Sequence, residues 1–359
     1  MREPRISRLV AVTAPVWLTL LSGALVLWLA GANPLVAYAH LLAGAFESGR
    51  KLADVVMVMA PLLLCSSGML VTFAAGLWNI GVEGQMVAGA LATTWLIQSL
   101  TVSNPAWATS SVLPAIILLP LSVLAGALGG LLWGLLTGLL RTYGRVNEIF
   151  AGLGLNYLAL ALTNYLIFGP WKPPDGATMS GTDPFPRKTW MPLIGQTRAS
   201  AVSIILSLAA LVLVYFALRD TRWGLRLKAI GMNPVAAHRL GVTTSQNMLS
   251  AFVVCGALAG IAGSLQTTAV YHRLIPSISS GYGYLAQLVV LLSGLRAEWL
   301  LPIVFFFGAI QVGSPRLELR MQLDSSLGGV LQASVVLFFL IVRGLRQRRE
   351  KRLPAAGEA

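Results

Sequence analysis

Polar side chains set beside or within long apolar runs are where a chain of this kind can do chemistry, and three segments hold them. The first is GLWNIGVEGQM, residues 76–86. Gly76, Gly81 and Gly84 permit unusual backbone angles, while Asn79, Glu83 and Gln85 bring hydrogen-bonding groups next to apolar sequence on both sides. Irregular backbone at membrane depth survives only against protein or a watery cavity, so this segment either lines a solute path or makes a cytoplasmic turn. In the second case Glu83 sits in the first turn of the next helix, favoured by its dipole. The second segment is RVNEIFAGLGLNY, residues 145–157. Asn147 is placed to cap a helix with Glu148 in its first turn. Asn156 follows eight residues later on nearly the same face, one to two turns deeper. A buried Asn there either binds a sugar or base or bonds a neighbouring helix.

The third segment is RDTRWGLRLKAIGMNPVAAHRLG, residues 219–241. Gly231 ends one element, Asn233 can cap the next, Pro234 suits a first helical position and Gly241 suits a stop. The short helix between them presents small Ala236 and Ala237 with charged Arg239. It is either a docking knob held away from the bilayer or an amphipathic surface helix, for which its apolar side is weak. On the docking reading both alanines face outward, so Ala237→Asp and Arg239→Glu are expected to leave the fold intact and break docking.

The sequence offers nothing for covalent chemistry. It has no GxxxxGK[ST] nucleotide loop, no HExxH and no GxSxG. The three His and two Cys show no metal-ligand spacing, and two Cys exclude a disulfide framework. No catalytic residue, metal or bound cofactor is therefore expected. Acidic residues, which mark ion-coupled carriers when they lie inside spans, are almost absent from the predicted spans: Glu83 and Glu148 sit close to helix ends, and Asp54 and Asp324 flank others. The energy for any transport is thus expected on another subunit.

These segments must be positioned by apolar helices. Of 359 residues, 56% are hydrophobic and only 11% charged, well below the roughly 25% of soluble domains, so lipid is the expected solvent. The basic excess of +13 is scattered in short clusters between apolar runs, which sets membrane orientation and does not build a nucleic-acid surface. From Leu9 to Phe46 there is no Asp, Glu, Lys or Arg, too long for a cleaved signal core, so a retained first span is expected. Spans of about 20 apolar residues are predicted near 9–31, 55–76, 84–101, 112–140, 148–168, 200–218, 248–270, 283–295, 299–314 and 327–343. The charge-free run from Gly84 to Leu140 would be about 85 Å as one helix, so it must turn back, at Ser103-Asn104-Pro105. The predicted fold is an all-α integral membrane domain of about ten transmembrane helices over residues 1–359. Half one covers about 1–168, an outer loop 169–199, half two about 200–343 and a basic tail 344–359. Five spans in each half make the halves inverted in the bilayer, a common transporter layout. With both termini cytoplasmic, 17 of the 26 Lys and Arg lie inside, in accord with the positive-inside rule. The tail RGLRQRREKR is a topology anchor or a site for anionic lipid.

The loop at 219–241 resembles the coupling helix of ABC importer permeases of the ribose, nucleoside and branched-chain amino-acid group. NIGVEGQM and RVNEIFAGLGLNYLA resemble signatures of its nucleoside and simple-sugar branch, and GYGYLAQLVVLLSG (281–294) is similar to its Gly-rich helix near the pore. The matches keep their order from about Met57 to Gly294. The resemblance implies a multi-pass permease of the bacterial inner membrane, paired with a second permease subunit, identical or paralogous. ATP would be bound by cytoplasmic ATPase subunits docked on Asn233, Pro234, Ala236, Ala237, Arg239 and Gly241, and alternating access would follow. An extracytoplasmic binding protein would deliver the solute, a nucleoside or simple sugar, to a path through Asn79, Glu83, Gln85, Asn147, Glu148, Asn156 and Gln287. Two departures bear on the solute: LAQLVVLLSG replaces a helix that usually opens Ile-Ala-Val-Ala, and Phe150-Ala151-Gly152 replaces a commoner polar run. An ion-coupled secondary transporter, or a membrane subunit with no solute path, are the other classes the sequence admits.

Overall fold

A computed structural model describes residues 5–29, 31–103, 115–173, 181–324 and 326–352. Among them the regular structure is helical, with one isolated bridge, Leu193 to Ser200. The helices are α1 (Arg5–Leu29), α2 (Pro34–Phe46), α3 (Gly49–Ala74), α4 (Val82–Ser103), α5 (Ala115–Thr142), α6 (Glu148–Phe168), α7 (Ala201–Asp220), α8 (Arg222–Met232), α9 (Pro234–Arg239), α10 (Thr244–Leu265), α11 (Tyr282–Leu292), α12 (Leu300–Gly313), α13 (Pro315–Met321) and α14 (Leu327–Arg352). The segments predicted as spans are mostly helical where described, with turns at 75–76 and 293–295. Among the described residues six stretches are long and apolar enough to cross a membrane, or up to seven if a bent pair counts as one. The chain is a multi-pass membrane protein. That bent pair is the charge-free run near the N-terminus. It holds two helices at 111°, because Gly31 turns the chain at φ +78° and Asn33 caps α2 ahead of Pro34. The turn expected at Ser103-Asn104-Pro105 lies, beyond Ser103, outside the described residues.

The chain forms two compact units, residues 1–55 with 305–359, and residues 56–304. In the first, α1 packs on α14 and α2 on α13, around Leu27, Leu41, Ile310 and Leu331. An ion pair between Glu47 and Arg316 joins the end of α2 to α13, and Gln332 Nε2 donates to the Phe307 carbonyl at 2.9 Å.

The second unit is built on α4, α5 and α10, which pack on one another. In lipid there is no hydrophobic gain from helix association, so close backbone approach through small residues takes its place. The sequence supplies this at intervals of four: Gly126, Gly130, Gly134 and Gly138 on α5 against Phe252, Gly256, Gly260 and Ser264 on α10. The pairing runs antiparallel, from Gly126 beside Ser264 to Gly138 beside Phe252. Gly129 meets Ala88 and Ala92 of α4, and Gly89 meets Gly260. Thr93 and Ser264 both donate to the Ser122 carbonyl, at 3.1 and 3.3 Å, closing the three-helix contact with hydrogen bonds.

Candidate functional site

The 75–81 connection leaves α3 with Gly76 at φ +70° and leads into α4. Its polar groups are used up internally. Asn79 and Gln85, both fully buried, face each other as a reciprocal amide pair with both N···O distances 3.2 Å, and Asn79 Nδ2 also lies 3.2 Å from Cys255 Sγ. Two buried amides that satisfy each other rigidify the turn at little cost, whereas either alone would leave unpaired groups.

Asn156 and Glu83 hold two helix starts. Asn156 Oδ1 accepts from Gly84 N at 2.8 Å, inside the first turn of α4, while its Nδ2 donates to the Ile80 carbonyl at 3.0 Å and lies 3.4 Å from Tyr284 Oη. Glu83 reaches across to α11. Its Oε1 accepts from Ser279 Oγ at 2.5 Å and Gly281 N at 3.1 Å, and its Oε2 from Gly283 N at 2.7 Å. A carboxylate on exposed N–H groups at a helix N-terminus is favoured both by hydrogen bonding and by the dipole. The approach needs glycine: a Cβ on Gly283 would stand 2.6 Å from Glu83 N and Oε2, and Gly281 adopts φ +75°. At 11 residues α11 is about 16 Å long, roughly half the hydrocarbon thickness. Glu83 is therefore the fastener of a half-length helix.

Glu148 is 7% exposed and is held by Arg141 Nε at 3.1 Å, with Trp78 N 3.4 Å from its other oxygen. It ties the end of α5, the start of α6 and the 75–81 connection together. Asn147 caps α6 as its position suggested, accepting from Ile149 N at 2.9 Å, and faces outward. Gln287 lies one turn beyond Tyr284 on α11, partly buried and without a hydrogen bond among the described residues. Of the seven path residues expected from sequence, Asn79, Glu83, Gln85, Glu148 and Asn156 thus gather around the start of α4. Asn147 stands apart, and Gln287 keeps its hydrogen-bonding capacity free.

The short helix after α8 forms as expected. Asn233 Oδ1 accepts from both Val235 N and Ala236 N, at 3.1 and 3.0 Å, Pro234 opens α9, and Gly241 ends it at φ +84°. Its phase differs from the expectation in one residue. Ala237 is only 3% exposed, whereas Ala236 and Arg239 are exposed, and the outward apolar groups are Met232, Val235 and Leu240. Ala237 is a packing residue because the six-residue helix turns that side inward. Ala237→Asp would bury an unpaired carboxylate at a cost on the order of 3 kcal/mol or more. Folded yield by size-exclusion chromatography is expected to drop for Ala237→Asp and stay at the parental level for Arg239→Glu.

The α8–α9 corner is fixed to the site by backbone. A Cβ on Gly231 would collide with the Ala74 carbonyl and lie 3.0 Å from Gly76 N, so α8 ends directly against the start of the 75–81 connection. On the other side, residues 181–200 seat on the chain between α10 and α11. Thr182 N donates to Leu274 O (2.9 Å), Phe185 N to His272 O (2.7 Å) and Met191 N to Thr268 O (3.1 Å). Burial pushes the His272 pKa below the ordinary histidine value, and the ring stacks on Trp190 with centroids 3.8 Å apart. The sequence did not reveal these partners, namely Ser279 for Glu83, Arg141 for Glu148 and the 268–274 seat; a polar residue or Gly beside an apolar run carries no mark of which group it meets.

The arrangement sets the ends of helices and links them. Residues 51–342 match the family described as branched-chain amino acid transport system, permease component. The chain is 29% identical to the glucose ABC transporter permease protein TsgB13 of Haloferax volcanii, over 91% of this chain and 89% of the relative. It is 26% identical to the nucleoside ABC transporter permease protein NupB of Lactococcus lactis subsp. cremoris (89% and 87%). It is also 26% identical to the guanosine ABC transporter permease protein NupP of Bacillus subtilis (93% of each). A second permease protein from each of the same three organisms also matches. With four-fifths of its length inside the matched region and its helical, multi-pass architecture in accord, the chain belongs to the branched-chain amino acid transport system permease family.

Proposed function

We propose that the chain is one permease subunit of an ATP-binding-cassette importer that passes a nucleoside, or a related uncharged polar solute such as a sugar, by alternating access. The observation that carries this reading is α9, a short helix capped by Asn233, with Met232, Val235, Arg239 and Leu240 exposed on and beside it, and with the preceding Gly231 abutting Gly76. An ATPase subunit docked there would push through Gly231 on the 75–81 connection, and Glu83 would pass that movement to the start of α11. Coupling needs such a chain of stiff contacts with two arrangements. Similarity to glucose, nucleoside and guanosine permeases supports the solute class. Matches to two permeases in each of three organisms support a paralogous second permease as partner.

In this reading about ten spans form two inverted halves in the inner membrane, with both termini cytoplasmic. ATP is bound by the partner ATPases and no cofactor by this chain. An extracytoplasmic binding protein hands the solute to the outer face, near residues 181–200. The test is uptake of labelled nucleosides and sugars into proteoliposomes holding the complete complex and its binding protein. ATP-dependent uptake that falls at least tenfold in Arg239→Glu and Leu240→Asp, with normal subunit folding, is the expected result. Uptake that persists without ATP and follows an ion gradient would replace this reading with a secondary transporter.

A further inference from the structure

An apolar groove of about 380 Å³ lies between α3, α7 and α10, all within the second unit. Leu64 and Val71 form one wall, Leu213 and Val214 the second, and Val254 and Leu258 the third. Near the start of α7 Ser203 Oγ lies 3.4 Å from Met191 Sδ, and just past its end Thr221 caps α8, its Oγ1 accepting from Gly224 N at 3.1 Å. Only 22% of the most apolar window of α7 is buried.

Protein interiors are close-packed, so a space of this size between membrane helices is filled by something. Water is a poor occupant, since an apolar cavity offers it no partners. The polar lining group, Trp223 Nε1, already donates to Ser250 Oγ at 2.9 Å. The filler is therefore apolar and slender. What lies beyond the α8 end of the groove specifies it further. Arg222, Arg226 and Lys228 are exposed there and form no ion pair among the described residues, whereas Arg219 pairs with Asp220 and contacts Tyr215. Trp223 and Arg226 are three residues apart and share a helix face. An apolar slot with a tryptophan and unpaired cations at its mouth matches a lipid chain below an anionic headgroup.

We propose that this groove holds one acyl chain of an anionic phospholipid, with its headgroup phosphate bound by Arg222 and Arg226. The lipid braces α7 against α3 and α10 at the root of the α8–α9 corner, so it also steadies the surface on which an ATPase would dock.

The test uses the full chain, purified in nonionic detergent and mixed with phosphatidylglycerol or phosphatidylcholine of identical chains, read by native mass spectrometry. One phosphatidylglycerol is expected to stay bound at collision energies that strip phosphatidylcholine. Its occupancy should fall about fivefold or more in Arg222→Gln/Arg226→Gln, an exposed double variant that leaves the core untouched. Ala210→Trp, which fills the groove, should lose the retained lipid, and brominated acyl chains should quench a component of fluorescence that Trp223→Phe removes. Equal retention of the two lipids, or unchanged retention in both variants, overturns the proposal. So does an Ala210→Trp chain that keeps its lipid but no longer copurifies with the second permease, since the groove would then be a protein seat.

Discussion

Replacement of Glu83 by alanine is expected to reduce transport per assembled complex at least a hundredfold while most of the protein still folds. The carboxylate is the shared acceptor for Ser279 Oγ, Gly281 N and Gly283 N. Alanine orphans those donors at a place that water reaches poorly. Hydrogen bonds to a charged group contribute about 1.5–3 kcal/mol each, and an unsatisfied buried donor costs about 1–3 kcal/mol. Even the low end of two such losses, about 3 kcal/mol, corresponds to roughly two orders of magnitude in the population of a correctly seated α11. The three-helix contact of α4, α5 and α10 does not depend on this residue, so bilayer insertion and detergent stability should change much less than transport. Glu83→Gln keeps one acceptor oxygen but turns an N–H toward the remaining donors, so it should restore only part of the rate. Initial uptake in proteoliposomes, normalised to intact complex, measures this. Near-parental uptake by Glu83→Ala would remove Glu83 from the coupling path and with it the role given to α11.

Gly130→Leu is expected to prevent folding altogether. A Cβ at that position already collides with the Gly256 carbonyl and lies 2.5 Å from Gly260 Cα, and both are backbone, which cannot rotate away. Overpacking a core costs about 1–3 kcal/mol when side chains can yield, and more when the obstacle is a helix backbone. Here α5 and α10 must separate, and the loss spreads along the four-residue spacing from Gly126 to Gly138. Gly130→Ala should already lower the thermal midpoint. The control is Gly154 on α6, exposed and with nothing within 4 Å of an added Cβ. Gly154→Ala should be neutral or stabilise by up to about 1 kcal/mol through helix propensity. Fluorescence-detected size exclusion with a temperature ramp compares the three. A folded Gly130→Leu chain with a parental midpoint would show that the glycine seam is not what holds the unit together.

Several features are local, and local features are legible in a sequence. The apolar runs became helices because lipid leaves the backbone no partner but itself. Asn147 and Asn233 cap the helices they precede, since an Asx side chain two or three residues from a free N–H needs no distant group to act. Pro234 opens its helix for the same kind of reason. The sequence by itself therefore determined that this is a helical membrane chain, where most of its helices lie, which family its motifs resemble, and that a short capped helix follows α8.

Tertiary structure alone decided what the polar residues do. Glu83 meets groups some 200 positions away, Asn79 meets Cys255, and Ala237 turns inward because six residues of helix contain too little pattern to reveal their phase. The four-residue glycine spacing was present in the sequence, but which helix faced it was not. The physical reason is common to all of these. A membrane span announces itself through the summed transfer energy of some twenty side chains, whereas a buried amide or carboxylate is assigned its role by one or two donors brought within 3 Å by the packing of the whole unit.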